Sequence, residues 1–173
     1  MCKSLGESAA DTVESQVVSI LKKRGLTVAV AEACTSGIIA TRLTNLTGSS
    51  QFFLGGVLAY SNEVKEKLLC VPRELMVKEG SVSEATAKSM AKGVRNLFDS
   101  DIAVSATGVM GPTGGTEKKP VGLFFIAVIG DNIDLCAQRL FTGNRVENRD
   151  NASTAALELL LEALRIGESY ATP

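Results

Sequence analysis

The stretch L-T-V-A-V-A-E-A-C-T-S-G, residues 26–37, decides the class of fold that this sequence adopts. Its first six residues, 26–31, are apolar or β-branched, which predicts a short buried strand that ends at Glu32. Small residues fill the turn 33–37, and the apolar segment 38–46 then predicts a helix. A strand that passes through a short turn into a helix is the repeating unit of α/β proteins.

The remaining segments alternate between helices and strands in the same way. Helical spacing of apolar residues predicts further helices over residues 12–24, 62–69, 73–79, 83–98 and 152–166. Short apolar runs predict strands over residues 52–60, 101–107, 121–129 and 133–141, with a bulge or close approach at Gly55-Gly56 and a hairpin at 130–132. We therefore predict a three-layer α/β/α sandwich whose mixed sheet is mainly parallel with an antiparallel edge.

The composition fits one domain and argues against two classes of partner. The chain has 173 residues, 45% of them hydrophobic, so we expect a single domain over residues 1–173 with a core of about 13–166 and a loose tail at 167–173. A net charge of −1 without a basic cluster argues against nucleic acid. The longest apolar run, 121–129, is too short to cross a bilayer, and residues 1–6 lack the apolar core of a signal peptide. We expect a cytoplasmic protein that does not bind a membrane.

The sequence contains no histidine, which removes the Ser-His-Asp and Cys-His forms of hydrolysis and the common zinc sites that use histidine. Acid–base chemistry must therefore use Lys, Tyr, Asp or Glu. The four cysteines, at positions 2, 34, 70 and 136, form no C-x-x-C pair. We expect no metal site and no cofactor, and we expect Cys70 and Cys136 to pack as small apolar residues.

Three segments that end or follow predicted strands could carry chemistry. The turn 33–37 offers backbone N–H groups at a helix N-terminus, although Thr35 and Ser36 could serve only as helix caps. Lys65, if it is desolvated beside Tyr60, could act as the general base that histidine usually supplies, although Lys65 could equally be a solvated helix lysine. The glycine-rich loop 108–116 could bind an anion or form a tight structural turn, and it lacks the Walker pattern.

Six motifs follow one another along the chain: A-E-A-C-T-S-G at 31–37, L-T-x-x-x-G-S-S at 43–50, F-x-G-G-V-x-A-Y-S-N-E-x-K at 53–65, G-S-V-S-E at 80–84, T-G-x-x-G-P-x-G-G-T at 107–116 and K-P-V-G at 119–122. Together they resemble the CinA C-terminal family, the competence/damage-inducible family whose stand-alone members include nicotinamide-nucleotide amidases. The similarity spans roughly residues 13–164.

This resemblance implies a metal-free hydrolysis of nicotinamide mononucleotide to nicotinic acid mononucleotide and ammonia. The presumed nucleophile of that family is the serine of A-E-S-C-T-G-G, assisted by a tyrosine and a lysine that match Tyr60 and Lys65. We expect a homo-oligomer whose partner is a small pyridine nucleotide, with its phosphate near the loop 108–116 and its amide near Tyr60. The expected binding residues are Thr35, Gly37, Asn62, Thr107, Gly108, Gly111, Gly114 and Gly115.

The chain departs from the family at the nucleophile position, where it has Ala33, and at the first glycine of the pair, where it has Ser36. Two explanations stay open: Ser36 or Thr35 supplies the hydroxyl from the same turn, or the site binds a nucleotide without hydrolysing it. We favour weak or absent amidase activity with retained binding. A purely structural or interaction domain is a third class, which the intact glycine loop, Tyr60 and Lys65 make less attractive.

Overall fold

The computed structural model describes residues 12–169. Its elements alternate as the sequence predicts, with one short 3₁₀ turn at Ser49–Gln51 between α2 and β2. The strands are β1 (Val28–Glu32), β2 (Phe53–Leu58), β3 (Ile102–Gly108), β4 (Leu123–Gly130) and β5 (Ile133–Leu140). The helices are α1 (Val13–Arg24), α2 (Ile38–Thr44), α3 (Asn62–Leu69), α4 (Arg73–Lys78), α5 (Glu84–Phe98) and α6 (Arg145–Ser169).

The five strands form one mixed sheet in the order β2-β1-β3-β4-β5. β1 pairs in parallel with both β2 and β3, whereas β4 pairs antiparallel with both β3 and β5. Helices α1, α2 and α6 cover one face, and α5 covers the other with α3 and α4 packed beside it. The predicted three-layer α/β/α fold is confirmed, although the antiparallel part includes two strand pairs rather than a single edge.

The alternation of side chains along β1 builds a core on both faces of the sheet. Val28 and Val30 pack in the cluster formed with α1, α2 and α6, and Ala29 and Ala31 pack in the cluster on the α5 side. Every residue of β1 is buried, as expected of a central parallel strand. Full burial of one valine side chain contributes about 1.5–3 kcal/mol, so this strand is fixed firmly between its neighbours.

The carboxyl ends of β1, β2 and β3 lie side by side. The amide of Ala59 donates to the carbonyl of Glu32 (2.8 Å), and the amide of Ala33 donates to the carbonyl of Ala106 (3.0 Å). These bonds continue the ladders beyond the strand ends, so the turn after β1, the residues after β2 and the end of β3 face one region. This region holds the candidate site.

The two glycines of β2 mark the predicted bulge and close approach. The pairing register with β1 shifts between Val28 and Ala29, opposite Phe53 and Gly55. A Cβ on Gly56 would lie 2.5 Å from Cγ2 of the Val30 side chain, so only glycine fits there without displacement. The prediction for this pair of glycines is confirmed.

The polar segment 144–150 is the beginning of α6, so the prediction that the last helix starts at residue 152 is wrong. The Asn144 Oδ1 atom accepts hydrogen bonds from the amides of Val146 (2.9 Å) and Glu147 (3.1 Å), and the Glu147 carboxylate accepts from the Asn144 amide (2.8 Å). This reciprocal cap begins the helix two turns early. The helix runs on to Ser169, so the expected loose tail does not begin at residue 167, and residues 170–173 lie outside the described part of the chain.

The prediction for Cys70 is also wrong, because this residue is exposed at the C-terminal end of α3 with a left-handed backbone (φ 52°). Cys136 is partly buried against the cluster of Ala87, Ala91 and Ala127, as predicted. Cys2 lies outside the described residues. Across residues 12–169, none of the helices combines the length and apolarity needed to cross a membrane.

Candidate active site

A cleft of about 230 Å³ lies at the carboxyl ends of β1, β2 and β3. This edge is where ligands gather in α/β sheets. Six residues that the sequence indicates as site residues line it: Ala33, Tyr60, Asn62, Lys65, Thr107 and Gly108. Four further residues complete the lining: Cys34, Ser81, Val82 and Met110.

Lys65 lies on the inner side of α3 and is only 3% exposed. Burial lowers the pKa of Lys65, and this outweighs the opposite effects of the neighbouring Cys34 and Glu63 groups. Within residues 12–169 the amine forms no salt bridge within 4.0 Å and no hydrogen bond, although the charge of Glu63 acts on it from a greater distance. The interpretation of Lys65 as a solvated helix lysine is therefore wrong, and its amine is neutral at a lower pH than that of an ordinary lysine.

Tyr60 stands at the mouth of the cleft and is 62% exposed. Its hydroxyl oxygen accepts a hydrogen bond from Nη2 of Arg145 (3.2 Å), and Nη1 of Arg145 donates to the carbonyl of Gly111 (2.8 Å). One guanidinium therefore links the end of β2 to the glycine-rich loop. The sequence analysis missed Arg145, although the pattern N-x-x-E at 144–147 is a helix-start signal that could have found it.

Ala33 is 7% exposed and belongs to the same buried cluster as Ala29 and Ala31, on the α5 side of the sheet. Its methyl group lines the cleft together with Tyr60 and Lys65, as the sequence predicts. Among the described residues, the amides of the three residues after it donate to no oxygen acceptor, although those of Cys34 and Thr35 contact the Cys34 thiol. Of these three, Cys34 lines the cleft, so its N–H is the best placed to meet a developing oxyanion beside position 33.

The Cys34 side chain is not the missing nucleophile. Burial raises the pKa of the Cys34 thiol to about 12, so the group stays protonated near neutral pH. It packs against Met110, Phe124 and Ala152, as an inert structural cysteine does.

A chain of hydrogen bonds fixes the far wall of the cleft. The hydroxyl of Thr107 donates to the carbonyl of Ser81 (2.8 Å), and the hydroxyl of Ser81 donates to Oδ1 of Asn62 (2.8 Å). Thr107 thus positions the segment before α5, and its own proton is engaged. The side-chain amide nitrogen of Asn62 remains available for a ligand.

Comparison with known proteins agrees with the motifs and the fold. The model of the CinA C-terminal domain matches residues 10–164, nearly the whole of this chain. The chain belongs to the CinA C-terminal domain family. Among solved CinA structures, a competence/damage-inducible protein from Agrobacterium tumefaciens has a TM-score of 0.84 at 35% identity, covering 87% of this chain and 94% of that chain. A CinA superfamily protein from Klebsiella pneumoniae has a TM-score of 0.85 at 30% identity, covering 88% and 96%.

Curated relatives with similar sequences are longer than this CinA domain. A CinA-like protein from Syntrophus aciditrophicus is 44% identical over 160 residues, which are 92% of this chain and 38% of the relative. Another from Chloroherpeton thalassium is 45% identical over 157 residues, which are 88% of this chain and 37% of the relative. The chain thus spans less than two fifths of the length of these relatives.

The turn after β1 of this CinA domain does not present a free helix N-terminus to a ligand. The buried carboxylate of Glu32 accepts hydrogen bonds from the amides of Gly37 (2.8 Å), Ile39 (3.2 Å) and Ala40 (2.9 Å). These are the donors that an anion would otherwise use. The expectation that the Gly37 amide faces the ligand is therefore wrong, because Glu32 already satisfies it.

The two residues of the turn that carry hydroxyl groups, Thr35 and Ser36, are not part of the cleft lining. Ser36 has a left-handed backbone (φ 52°), and its hydroxyl lies 3.3 Å from the carbonyl of Ala33, to which it donates. Thr35 is fully buried, and its carbonyl accepts from Nη2 of Arg149 (3.1 Å). Neither residue lines the cleft, so the geometry does not support either as a substitute nucleophile.

Three of the predicted binding glycines, Gly111, Gly114 and Gly115, lie outside the cleft lining. A Cβ on Gly111 would lie 2.4 Å from the Val121 side chain, and one on Gly115 would lie 2.9 Å from the Val121 amide nitrogen. Gly114 has a positive φ (86°) and open space around it. Close packing against Val121 explains Gly111 and Gly115, and a positive φ explains Gly114 and also applies to Gly111 (84°), so the structural interpretation of the loop suffices for them.

Glu32 provides the first testable prediction. Glu32→Gln should lower the free energy of unfolding by about 1–3 kcal/mol, because the charge is lost and one buried N–H faces an amide group that cannot accept its hydrogen bond. Urea unfolding followed by circular dichroism would measure the change. Glu158→Gln, at an exposed position of α6, is the control and should stay within about 0.5 kcal/mol of wild type. A Glu32→Gln domain as stable as the control would contradict this role.

Proposed function

We propose that the cleft binds a pyridine mononucleotide and that the domain is a nicotinamide-nucleotide amidohydrolase whose turnover is limited by the methyl group of Ala33. The reaction is the hydrolysis of nicotinamide mononucleotide to nicotinic acid mononucleotide and ammonia. The observation that carries the proposal is the buried amine of Lys65, without an acidic partner, lining the same cleft as position 33. A base in that position is what amide hydrolysis requires when the chain has no histidine.

In the proposed mechanism, different residues of the cleft assist different steps of amide hydrolysis. A neutral Lys65 amine takes the proton of the attacking hydroxyl or water, and the resulting ammonium returns it to the nitrogen that leaves as ammonia. The Cys34 amide stabilises the negative charge that develops on the carbonyl oxygen. Arg145 bonds to Tyr60, which we place beside the carboxamide of the substrate. The same guanidinium brings positive charge to the loop 108–116, where we place the phosphate of the nucleotide.

The missing hydroxyl at position 33 favours binding over rapid turnover. Without it no acyl-enzyme can form at position 33, and we propose that water activated by Lys65 attacks the amide carbonyl instead. Neither Ser36 nor Thr35 compensates, because their hydroxyl groups lie outside the cleft lining. A nucleotide-binding domain with residual amidase activity, or with none, is therefore the second candidate, and the absent hydroxyl is the observation that favours it.

The proposal includes a cytoplasmic setting and a homo-oligomeric protein. Its partner is a small pyridine nucleotide rather than nucleic acid, which the net charge of −1 supports because no excess of positive charge is available for a phosphate backbone.

Binding is the second prediction. Isothermal titration should give a dissociation constant below about 1 mM for nicotinamide mononucleotide, which corresponds to about −4.1 kcal/mol. Arg145→Met should weaken binding by roughly 10-fold, since it removes a charged donor from the mouth of the cleft. Arg139→Met, on β5 and outside the cleft, is the matched control and should bind as wild type does. No heat of binding at millimolar nucleotide would reject the proposal.

A further inference from the structure

We propose that the Lys65 amine is the nucleophile of this cleft and forms a reversible imine with small aldehydes that carry a phosphate or carboxylate group. This assigns a covalent carbonyl-binding site to the domain. It goes beyond amide hydrolysis, and it stands even if no amidase activity is found.

The surroundings of Lys65 differ from those of lysines that only carry surface charge. Lys88 forms ion pairs with Glu84 and Asp134, and these carboxylates raise the pKa of Lys88, which holds it in its protonated form. The Lys65 amine has no such partner among the described residues, and the small Ala33 beside it leaves room for a carbonyl carbon to approach. A desolvated lysine in a pocket is the form in which this side chain acts as a nucleophile toward carbonyl groups.

No other group in the cleft competes with this amine. The Cys34 thiol is kept protonated by burial, and position 33 carries only a methyl group. The Thr107 hydroxyl already donates its proton to the carbonyl of Ser81. Lys65 is therefore the strongest nucleophile that faces a ligand in this cleft.

The chemistry needs no oxidant, reductant or further reactant. The lone pair of the amine forms a bond to the carbonyl carbon and gives a carbinolamine, whose nitrogen loses a proton. The hydroxyl group then leaves with a proton as water, and a carbon–nitrogen double bond forms. Tyr60 can donate that proton, because its oxygen accepts from Arg145 and leaves its own hydrogen free.

The preference for an anionic aldehyde follows from Arg145. Its guanidinium has five N–H donors, and the described contacts use two of them, to Gly111 and Tyr60. Arg145 is exposed and bonded to Tyr60 of the cleft lining, so its remaining donors could hold a phosphate or carboxylate beside the cleft by charged hydrogen bonds. The anion would thus be bound while the aldehyde reaches inward to Lys65.

Pyridoxal 5′-phosphate is a suitable probe, because it combines an aldehyde with a phosphate. The folded wild-type protein would be incubated with it, reduced with borohydride, digested and analysed by mass spectrometry. We expect Lys65 to be labelled at least about 10-fold faster than Lys67, an exposed lysine on the same helix. Pyridoxal without the phosphate should label Lys65 more slowly, and Arg145→Met should remove that difference.

Lys65→Arg should remove the rapid phase of imine absorbance and leave only the slow phase of the exposed lysines, whereas Lys67→Arg, the matched control, should retain the rapid phase. Labelling of Lys65 no faster than Lys67 in the wild-type sample would overturn the proposal, and this ratio decides even if Lys65→Arg fails to fold. Nicotinamide mononucleotide tests the proposed function separately. If the nucleotide does not protect a rapidly labelled Lys65, the imine site stands and nucleotide binding in this cleft fails.

Discussion

Ala33→Ser should hydrolyse nicotinamide mononucleotide about 10³-fold faster than the wild-type domain, or more. Loss of the nucleophile costs a serine hydrolase on the order of 10⁶ in turnover, and the new hydroxyl should recover a large part of that. The proposed base, Lys65, and the residue of the proposed oxyanion donor, Cys34, already line the cleft with position 33. Only one oxygen atom is added next to open space, so the steric cost is small. Release of ammonia under saturating substrate would measure the gain.

Ser36→Ala is the control for this gain. Its hydroxyl donates to the carbonyl of Ala33 and lies outside the cleft lining, so its loss should leave turnover of both wild type and Ala33→Ser nearly unchanged. A wild type with substantial activity that Ser36→Ala destroys would show that the serine of the turn moves into the cleft. If Ala33→Ser binds the nucleotide but gains no activity, the domain is a binding module.

Lys65→Met in the Ala33→Ser background should lower turnover by about 10²- to 10⁴-fold, the range that a general base contributes. Methionine keeps the length and apolar packing of the lysine stem, so the fold should survive. Lys67→Met, on the exposed side of α3, should retain full activity. Steady-state rates with circular dichroism on each variant would separate loss of chemistry from loss of structure.

The pH dependence of turnover tests whether Lys65 is the general base, because a loss of structure would not produce the same change in the pH profile. Because burial lowers the pKa of Lys65, turnover of Ala33→Ser should rise with pH as the amine loses its proton, with a midpoint below the ordinary value of 10.5. The neighbouring Cys34 and Glu63 groups limit this shift. Lys65→Met should remove the ascending limb. A limb that persists in Lys65→Met would assign the base to another group.

The sequence predicts the strands and the position of the cleft well, because both depend on local patterns. Short apolar runs bounded by glycine and polar residues can bury both faces only as central strands, and the residues that follow such strands must meet at one edge. This reasoning places four residues of the cleft at that edge: Ala33, Tyr60, Lys65 and Thr107. That these residues lie at one edge of the sheet can be predicted without knowing which of their side chains are in contact.

The missed features depend on contacts between distant segments or on backbone conformation. Glu32 looks like the polar end of a strand, and only the approach of α2 shows that its carboxylate is buried and fully bonded. Ser36 differs from a usable nucleophile by its left-handed backbone, which composition does not reveal. The first two turns of α6 have few apolar residues at helical spacing, so the start of this helix depends on the Asn144 cap. The apolar pattern therefore does not predict that Arg145 lies in a helix, and it does not indicate Arg145 as a site residue.

The bridge from Arg145 to Tyr60 and Gly111 determines when during synthesis the cleft can be completed. A nascent chain leaves the ribosome from its N-terminus, and domains fold as their segments emerge. The walls formed by the ends of β1, β2 and β3 can assemble early, whereas the guanidinium that joins them belongs to α6, which emerges after every strand of the sheet. Arg24 of α1 also donates to the carbonyl of Leu164 in α6 (2.8 Å). The first helix of the domain therefore forms this contact only after the last helix has been synthesised. A nascent or truncated chain that stops before α6 would therefore lack the guanidinium that links Tyr60 to Gly111, even with its sheet formed.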